Sequence, residues 1–194
     1  MARWQPDAPG RLAAAALDLF EEHGYENTTV IEIAERAGLT KSTFFRYFPD
    51  KREVLFGRGT VTGLLVEGIA SAPPAAGPLD AVVDGLDALG RTFFTVDRRE
   101  FSGRRQAVLN ANAELREREA LKRIDLTASM IEALNRRGVP SPTARVAAKL
   151  GTLVWEIAYD QWIDANNSEG FGPLARQALA EVRAAARPDT ADRP

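Results

Sequence analysis

Apolar positions recur at spacings of three and four along nearly the whole chain, and alternating, strand-like stretches are almost absent. Leu12, Ala16, Leu19, Phe20 and His23 line one face of a first helix over about residues 10–23, and Gly24 suits the position just past its end. Thr29-Val30-Ile31-Glu32 is a capping box, in which hydroxyl and carboxylate each satisfy a backbone amide that the helix start leaves bare. It opens a second helix with Val30, Ile33, Ala34 and Ala37 on its buried side. Gly38-Leu39-Thr40 makes a tight turn, Thr40 caps a short third helix over 41–48, and Pro49 ends it. Asp50-Lys51-Arg52-Glu53 repeats the acid-first pattern and predicts a longer fourth helix to about residue 70.

Residues 71–78, with Pro73, Pro74, Gly77 and Pro78, cannot continue that helix and read as a loop. Leu79, Val82, Val83, Leu86, Leu89 and Phe93 mark a fifth helix. The spacing from Asp97 to Glu100 starts a sixth, which carries Phe101, Val108 and Leu109. A seventh covers about 113–137 and ends at Gly138, with Pro140 beyond. Ser141-Pro142 opens an eighth helix to about 165 that is apolar on two flanks: Val146, Leu150, Leu153 and Ile157 on one, Ala147, Val154 and Ala158 on the other. Such a helix is buried on both sides, by its own core or by a partner subunit. A ninth starts at Gly172-Pro173 and carries Leu174, Ala178, Leu179, Val182 and Ala185. The expected fold class is therefore all-α with nine helices, followed by a disordered tail over 188–194.

Composition narrows the class. Hydrophobic residues are 45% and charged residues 27% of 194, an ordinary globular balance. The chain has no cysteine, which removes disulfides, thiolate metal sites and a cysteine nucleophile, and fits a reducing cytoplasm. No signal peptide is visible, and the apolar runs are broken by charges such as Glu67 and Glu156, so a soluble cytoplasmic protein without a membrane partner is expected. The single histidine, His23, sits at the apolar end of the first helix, where packing or capping suits it better than catalysis, and no Ser/His/Asp set is visible. With no metal-ligand cluster and no phosphate-cradling glycine loop, neither an enzyme nor a cofactor is expected.

Net charge is −2, which mildly disfavours nucleic acid, but residues 36–52 hold five basic residues, Arg36, Lys41, Arg46, Lys51 and Arg52, against one acid, Asp50. Two short helices across a glycine turn are the helix-turn-helix layout. Ala34 sits where the helices cross, Gly38 makes the turn, and Phe44 drops back into the core, as does Phe48. Thr40, Lys41, Ser42, Thr43, Arg46 and Tyr47 then give the third helix an outward surface of hydroxyls, charge and one aromatic tip. Lys41 and Arg46 also admit a plainer reading as solvated charges.

From Thr28-Thr29-Val30, through Ile33-Ala34-Glu35-Arg36-Ala37-Gly38-Leu39-Thr40-Lys41, to Phe44-Phe45-Arg46-Tyr47-Phe48-Pro49-Asp50-Lys51, the chain resembles the TetR family of regulators nearly position by position. The resemblance is specific over about residues 10–58. Beyond that it rests on helix count and order. It implies a three-helix DNA-binding domain over 9–57, with the helix-turn-helix at about 30–49, and a ligand-binding and dimerisation domain over 58–187. Lys41, Ser42, Thr43 and Arg46 match family positions facing bases or nearby phosphates, and Thr29, Tyr47 and Lys51 match phosphate-contacting ones. Phe45 stands where the family often has tyrosine, which leaves it to a thymine methyl, a sugar or plain packing.

The resemblance further implies a repressor that pairs as a homodimer through its last two helices, binds a double-stranded palindromic operator and is released by a small-molecule effector. Candidate residues for an effector pocket are Phe94, Leu109, Met130, Trp155, Tyr159 and Trp162, which read more readily as ordinary core, together with Arg105 and Arg104 for an anionic effector, which also read as plain exposed arginines. Residues 112–119 are also similar to actinobacterial members of the mycofactocin type that respond to acyl-CoA, which points to a lipophilic or acyl-type effector. The rival readings are a DNA-binding regulator without an effector, a helical structural protein, and an enzyme.

Overall fold

A computed structural model describes residues 7–57 and 60–186, and the expected tail over 188–194 lies outside them. The described residues form nine α-helices: α1 (Ala8–His23), α2 (Val30–Arg36), α3 (Lys41–Tyr47), α4 (Thr60–Ser71), α5 (Pro78–Thr92), α6 (Val96–Ala111), α7 (Ala113–Arg136), α8 (Ser141–Ile163) and α9 (Phe171–Ala185). Among them no helix is long and apolar enough to cross a membrane. The all-α class stands. The long fourth helix expected from residue 50 does not form as one piece: Arg52–Leu55 is a single 3-10 turn, and Gly57 takes a positive φ of 68°. A chain in that conformation cannot carry a helix through, so α4 starts afresh at Thr60.

The chain clusters into two compact units, one of residues 1–59 with 101–122 and one of 60–100 with 123–194. In the first, Leu12, Ala16, Leu17, Leu19 and Phe20 of α1 form a core with Ile33, Ala34, Phe44, Phe48, Val54 and Leu55, completed by Val108, Leu109 and Leu115. His23 departs from the apolar face expected for it: its side chain is half exposed at the end of α1, beside Glu22.

In the second unit, α4 and α5 approach so closely that a Cβ on Gly68 would sit 2.7 Å from the Cα of Gly85. Side chains at both positions would force the helices apart. Arg137 closes the end of α4, its guanidinium donating to the carbonyls of Ile69 at 3.1 Å, Ala72 at 2.8 Å and Pro73 at 2.8 Å. A cation there also suits the negative end of the helix dipole. Buried Thr127 and Thr152 join α7 to α8 through a 2.9 Å hydroxyl contact, and Arg183 ties α9 to Asp80 of α5.

The two flanks of α8 divide as their composition suggests. Ala147, Val154 and Ala158 are buried in the core of this unit, whereas Val146 and Leu153 remain 60% and 42% exposed. Leu150 and Ile157, on the same flank, are half-buried. On α9 the apolar residues face inward, and the outward side mixes Ala180 and Ala184 with Arg176, Glu181 and Arg183.

Candidate nucleic-acid interface

The capping box at Thr29 is complete: its hydroxyl accepts from the Glu32 amide at 3.2 Å, and the Glu32 carboxylate accepts from the Thr29 amide at 2.7 Å. The Thr29 hydroxyl also contacts that carboxylate at 2.8 Å, so it is occupied at both its donor and its acceptor. At the other end of α2, Gly38 takes a φ of 65° and Leu39 donates back to the Ala34 carbonyl at 2.8 Å, which closes the turn. Ala34 and Ile33 are buried beneath it. Arg11 of α1 reaches the carbonyls of Ala37 and Gly38 with one guanidinium nitrogen, and a Cβ on Gly38 would meet that nitrogen at 2.9 Å. Glycine at 38 is thus required by its backbone angle, and a side chain there would also displace the Arg11 guanidinium.

Thr40 caps α3 by accepting from the Thr43 amide at 3.1 Å and pairs with the Thr43 hydroxyl at 3.0 Å. Phe44 is fully buried and Phe48 nearly so, which fixes the inner side of the helix. Lys41, Ser42, Phe45 and Arg46 are exposed on the opposite side, with Thr40 just before them and Thr43 and Tyr47 half-buried at its edges. Phe45 is 47% exposed and packs its ring edge-on to Phe44. The Arg46 guanidinium lies 5.0 Å from the Tyr47 ring centre. The structure therefore brings the expected reading residues together on one short helix.

The other local cations have internal partners. Arg36 makes a two-pronged pair with Glu22 of α1 at 3.0 and 2.8 Å, and Arg52 pairs with Asp50 at 2.8 Å. Lys51, expected at a phosphate in the first turn of a helix, instead precedes the 3-10 turn and points inward. Its ammonium donates to the carbonyls of Tyr25 at 2.6 Å and Thr28 at 3.0 Å and lies 4.1 Å from the Tyr25 ring centre. Burial raises the Tyr25 phenol above its ordinary range, so the ring stays neutral beside it.

Two residues that sequence reasoning passed over hold this head in place. Arg11 is one, and nothing in its sequence context marks it. Glu53 is the other: it is 7% exposed and pairs with Arg118 and, at 2.9 Å, with Lys122. Burial disfavours its charge, but hydrogen bonds from Arg118 and Lys122 outweigh that and hold its pKa below the ordinary 4.5.

The residues expected around an effector divide between the two units. Leu109 belongs to the core of the first unit, where Arg105 donates to the Leu55 carbonyl at 2.7 Å and lies near Glu119. Arg104 is tied to Asp18 and Glu21. Phe94, Met130, Trp155, Tyr159 and Trp162 share the core of the second. There Phe94 is ringed by Phe171 at 4.5 Å, Trp162 at 5.1 Å, and Trp155 and Tyr159 at 5.5 Å. Two open grooves of about 330 and 280 Å³ in this unit are lined by other residues. Trp162 Nε1, in the aromatic cluster, and Arg99 Nε, whose guanidinium lies 5.7 Å from the Trp162 ring centre, are buried without a hydrogen-bond partner, as is Gln161 Oε1. Among the described residues no group of three or more acidic or histidine side chains is placed to hold a metal ion.

Residues 12–56 match the family described as bacterial regulatory proteins, tetR family. The transcriptional regulator TcmR of Streptomyces glaucescens is 37% identical over 83 residues, 42% of this chain and 37% of TcmR. MftR of Mycobacterium tuberculosis, whose name links it to mycofactocin biosynthesis, is 33% identical over 55 residues, 28% of each chain. The chain thus spans well under half the length of these relatives. The solved structure of FadR from Thermus thermophilus, a TetR family repressor in complex with lauroyl-CoA, is similar over 96% of this chain and 98% of FadR, with a TM-score of 0.55 and 20% identity. At that identity the likeness speaks for the fold.

A carboxylate whose pKa is lowered by folding contributes stability that is complete above its ordinary value and is lost as the pH falls through the folded one. The Glu53 contribution is accordingly full above about pH 4.5 and disappears below it. Urea unfolding between pH 7 and pH 3 should show Glu53→Gln closing the gap to wild type at the acid end. A gap that stays constant with pH contradicts the ion pairing.

Proposed function

We propose that this chain, whose residues 12–56 match the tetR family of bacterial regulatory proteins, acts as a homodimeric DNA-binding transcriptional regulator with one copy of α3 in each half of a palindromic operator. The observation that carries this is the outward face of α3: Lys41, Ser42, Phe45 and Arg46, flanked by Thr40, Thr43 and Tyr47, on a helix capped and anchored from behind. Arg46 is suited to a paired contact with guanine edges, Lys41 to a phosphate or a base, and the hydroxyls to either. Phe45 has no hydroxyl to give a phosphate and suits a thymine methyl. Tyr47 borders the same face, and Thr29, at the start of α2, would exchange its Glu32 contact for a phosphate oxygen.

One recognition helix gives too few base contacts for a specific site, which is the physical reason to expect a pair. The apolar flank of α8, Val146, Leu150, Leu153 and Ile157, supports pairing through the last two helices, since a monomer leaves it to water. Release by a small lipophilic or acyl-type effector follows the family habit. Its support in this chain is Trp162 Nε1 in the aromatic cluster and Arg99 Nε beside it, buried and without a hydrogen-bond partner, each of which costs about 1–3 kcal/mol until something meets it. The tight packing of Phe94 against four other rings favours the second reading, a regulator that binds DNA without an effector.

Selection of bound sites from random duplex DNA by the full chain should return two inverted half-sites with centres about 34–36 Å, or a multiple, apart. Arg46→Ala should cost about 1–3 kcal/mol and relax the preference at one position of each half-site. Sites without inverted symmetry, or an Arg46→Ala variant with unchanged preference, overturn the reading. Leu153→Glu should convert the dimer to monomer in sedimentation velocity; an unchanged dimer would move the interface elsewhere. Acyl-CoA thioesters of graded chain length should raise the melting temperature and release the selected site, whereas a flat response across the series leaves the effector-free reading.

A further inference from the structure

The 3-10 turn at Arg52–Leu55 is held from two directions by side chains only two residues apart. From one end, Glu53 is pinned by Arg118 and Lys122, both on α7, while the Leu55 carbonyl accepts from Arg105 of α6. Asp50 fixes the turn itself, its carboxylate accepting from the amides of Arg52 at 2.9 Å and Glu53 at 3.2 Å. From the other end, Lys51 reaches back to the carbonyls of Tyr25 and Thr28, in the segment that leads into the Thr29 capping box. Thr28 is itself buried and donates to the Leu19 carbonyl at 3.2 Å and the Gly24 carbonyl at 2.9 Å. All of these residues lie in the first unit.

We infer that Lys51 and Glu53 form a two-ended strut, in which α7 sets the position of the 25–29 segment and through it the presentation of α2 and α3 to DNA. Lys51 is then a positioning residue. Two of its three N–H bonds are spent on backbone carbonyls, and its charge rests over a buried ring. Removing either end releases the same segment, because the contacts act in series. Glu53 touches no DNA-facing side chain, yet its loss is felt at the reading helix. The inference rests on the DNA-binding reading for its functional consequence, and on the first unit alone for its structural one.

The test uses the full chain and the variants Glu53→Gln, Lys51→Met, Lys51→Arg and the double variant Glu53→Gln with Lys51→Met. Glu53→Gln and Lys51→Met should each weaken the selected site roughly three- to thirty-fold, the range seen for residues that act at a distance. Sequence preference should stay unchanged, and the double variant should lose about as much as the worse single one. Lys51→Arg, which keeps charge and donors, should restore most of the affinity. The slope of log affinity against log salt should match wild type, whereas loss of a phosphate contact lowers it by about 0.9. Independently of DNA, backbone amides over 25–29 should exchange faster in Glu53→Gln, although that substitution lies on another element. Should Glu53→Gln fail to fold, Lys122→Gln, at the half-exposed partner of Glu53, carries the same expectation. A reduced salt slope in Lys51→Met, additive losses, or unchanged exchange over 25–29 overturns the strut. If wild type selects no DNA, the regulator reading fails while the exchange measurement still decides the strut.

Discussion

A helix of seven residues does not hold itself together in water, because too few hydrogen bonds follow the costly first turn. The shape of α3 is therefore borrowed from its surroundings: Phe44 buried beneath it, Thr40 capping its start, and the Gly38 turn that Arg11 clamps to α1. Anything the outward face does to a partner depends on that support. The contacts that matter most to recognition are thus ones that no partner touches.

The same constraint governs charge. Five basic residues crowd the sequence from 36 to 52, but Arg36, Lys51 and Arg52 are committed to Glu22, to backbone carbonyls and to Asp50. Lys41 and Arg46 are the basic side chains of α3 itself, and both are exposed. The acidic partners of Arg36 and Arg52 make the local positive field smaller than the sequence count suggests. On the proposed reading, affinity for a duplex leans more on geometry and on pairing of two heads than on bulk attraction.

Much of the head was legible in the sequence because its signals are local. The Thr29–Glu32 capping box, the Gly38 turn and the Thr40 cap each announce themselves within four residues, and the structure has them where the spacing put them. What was not legible is what depends on distant partners. Lys51 reads as an exposed cation until Tyr25 and Thr28 are seen to accept from it, and Arg11 has no mark at all. The break after residue 55 did have a local sign, Gly57, which the apolar periodicity on either side concealed. The effector candidates Leu109 and Met130 show the other limit: periodicity reports that a residue is buried, not in which core.

The central claim is that the exposed face of α3 enters DNA as one of two symmetric heads. Hydroxyl-radical footprinting of the full chain on its selected duplex tests this most directly. Two protected patches of equal depth are expected, related by a two-fold axis and separated by about one helical turn or a multiple of it, that vanish together when Ser42 and Arg46 are replaced by glutamate. A single patch, or protection that survives those replacements, would contradict that claim.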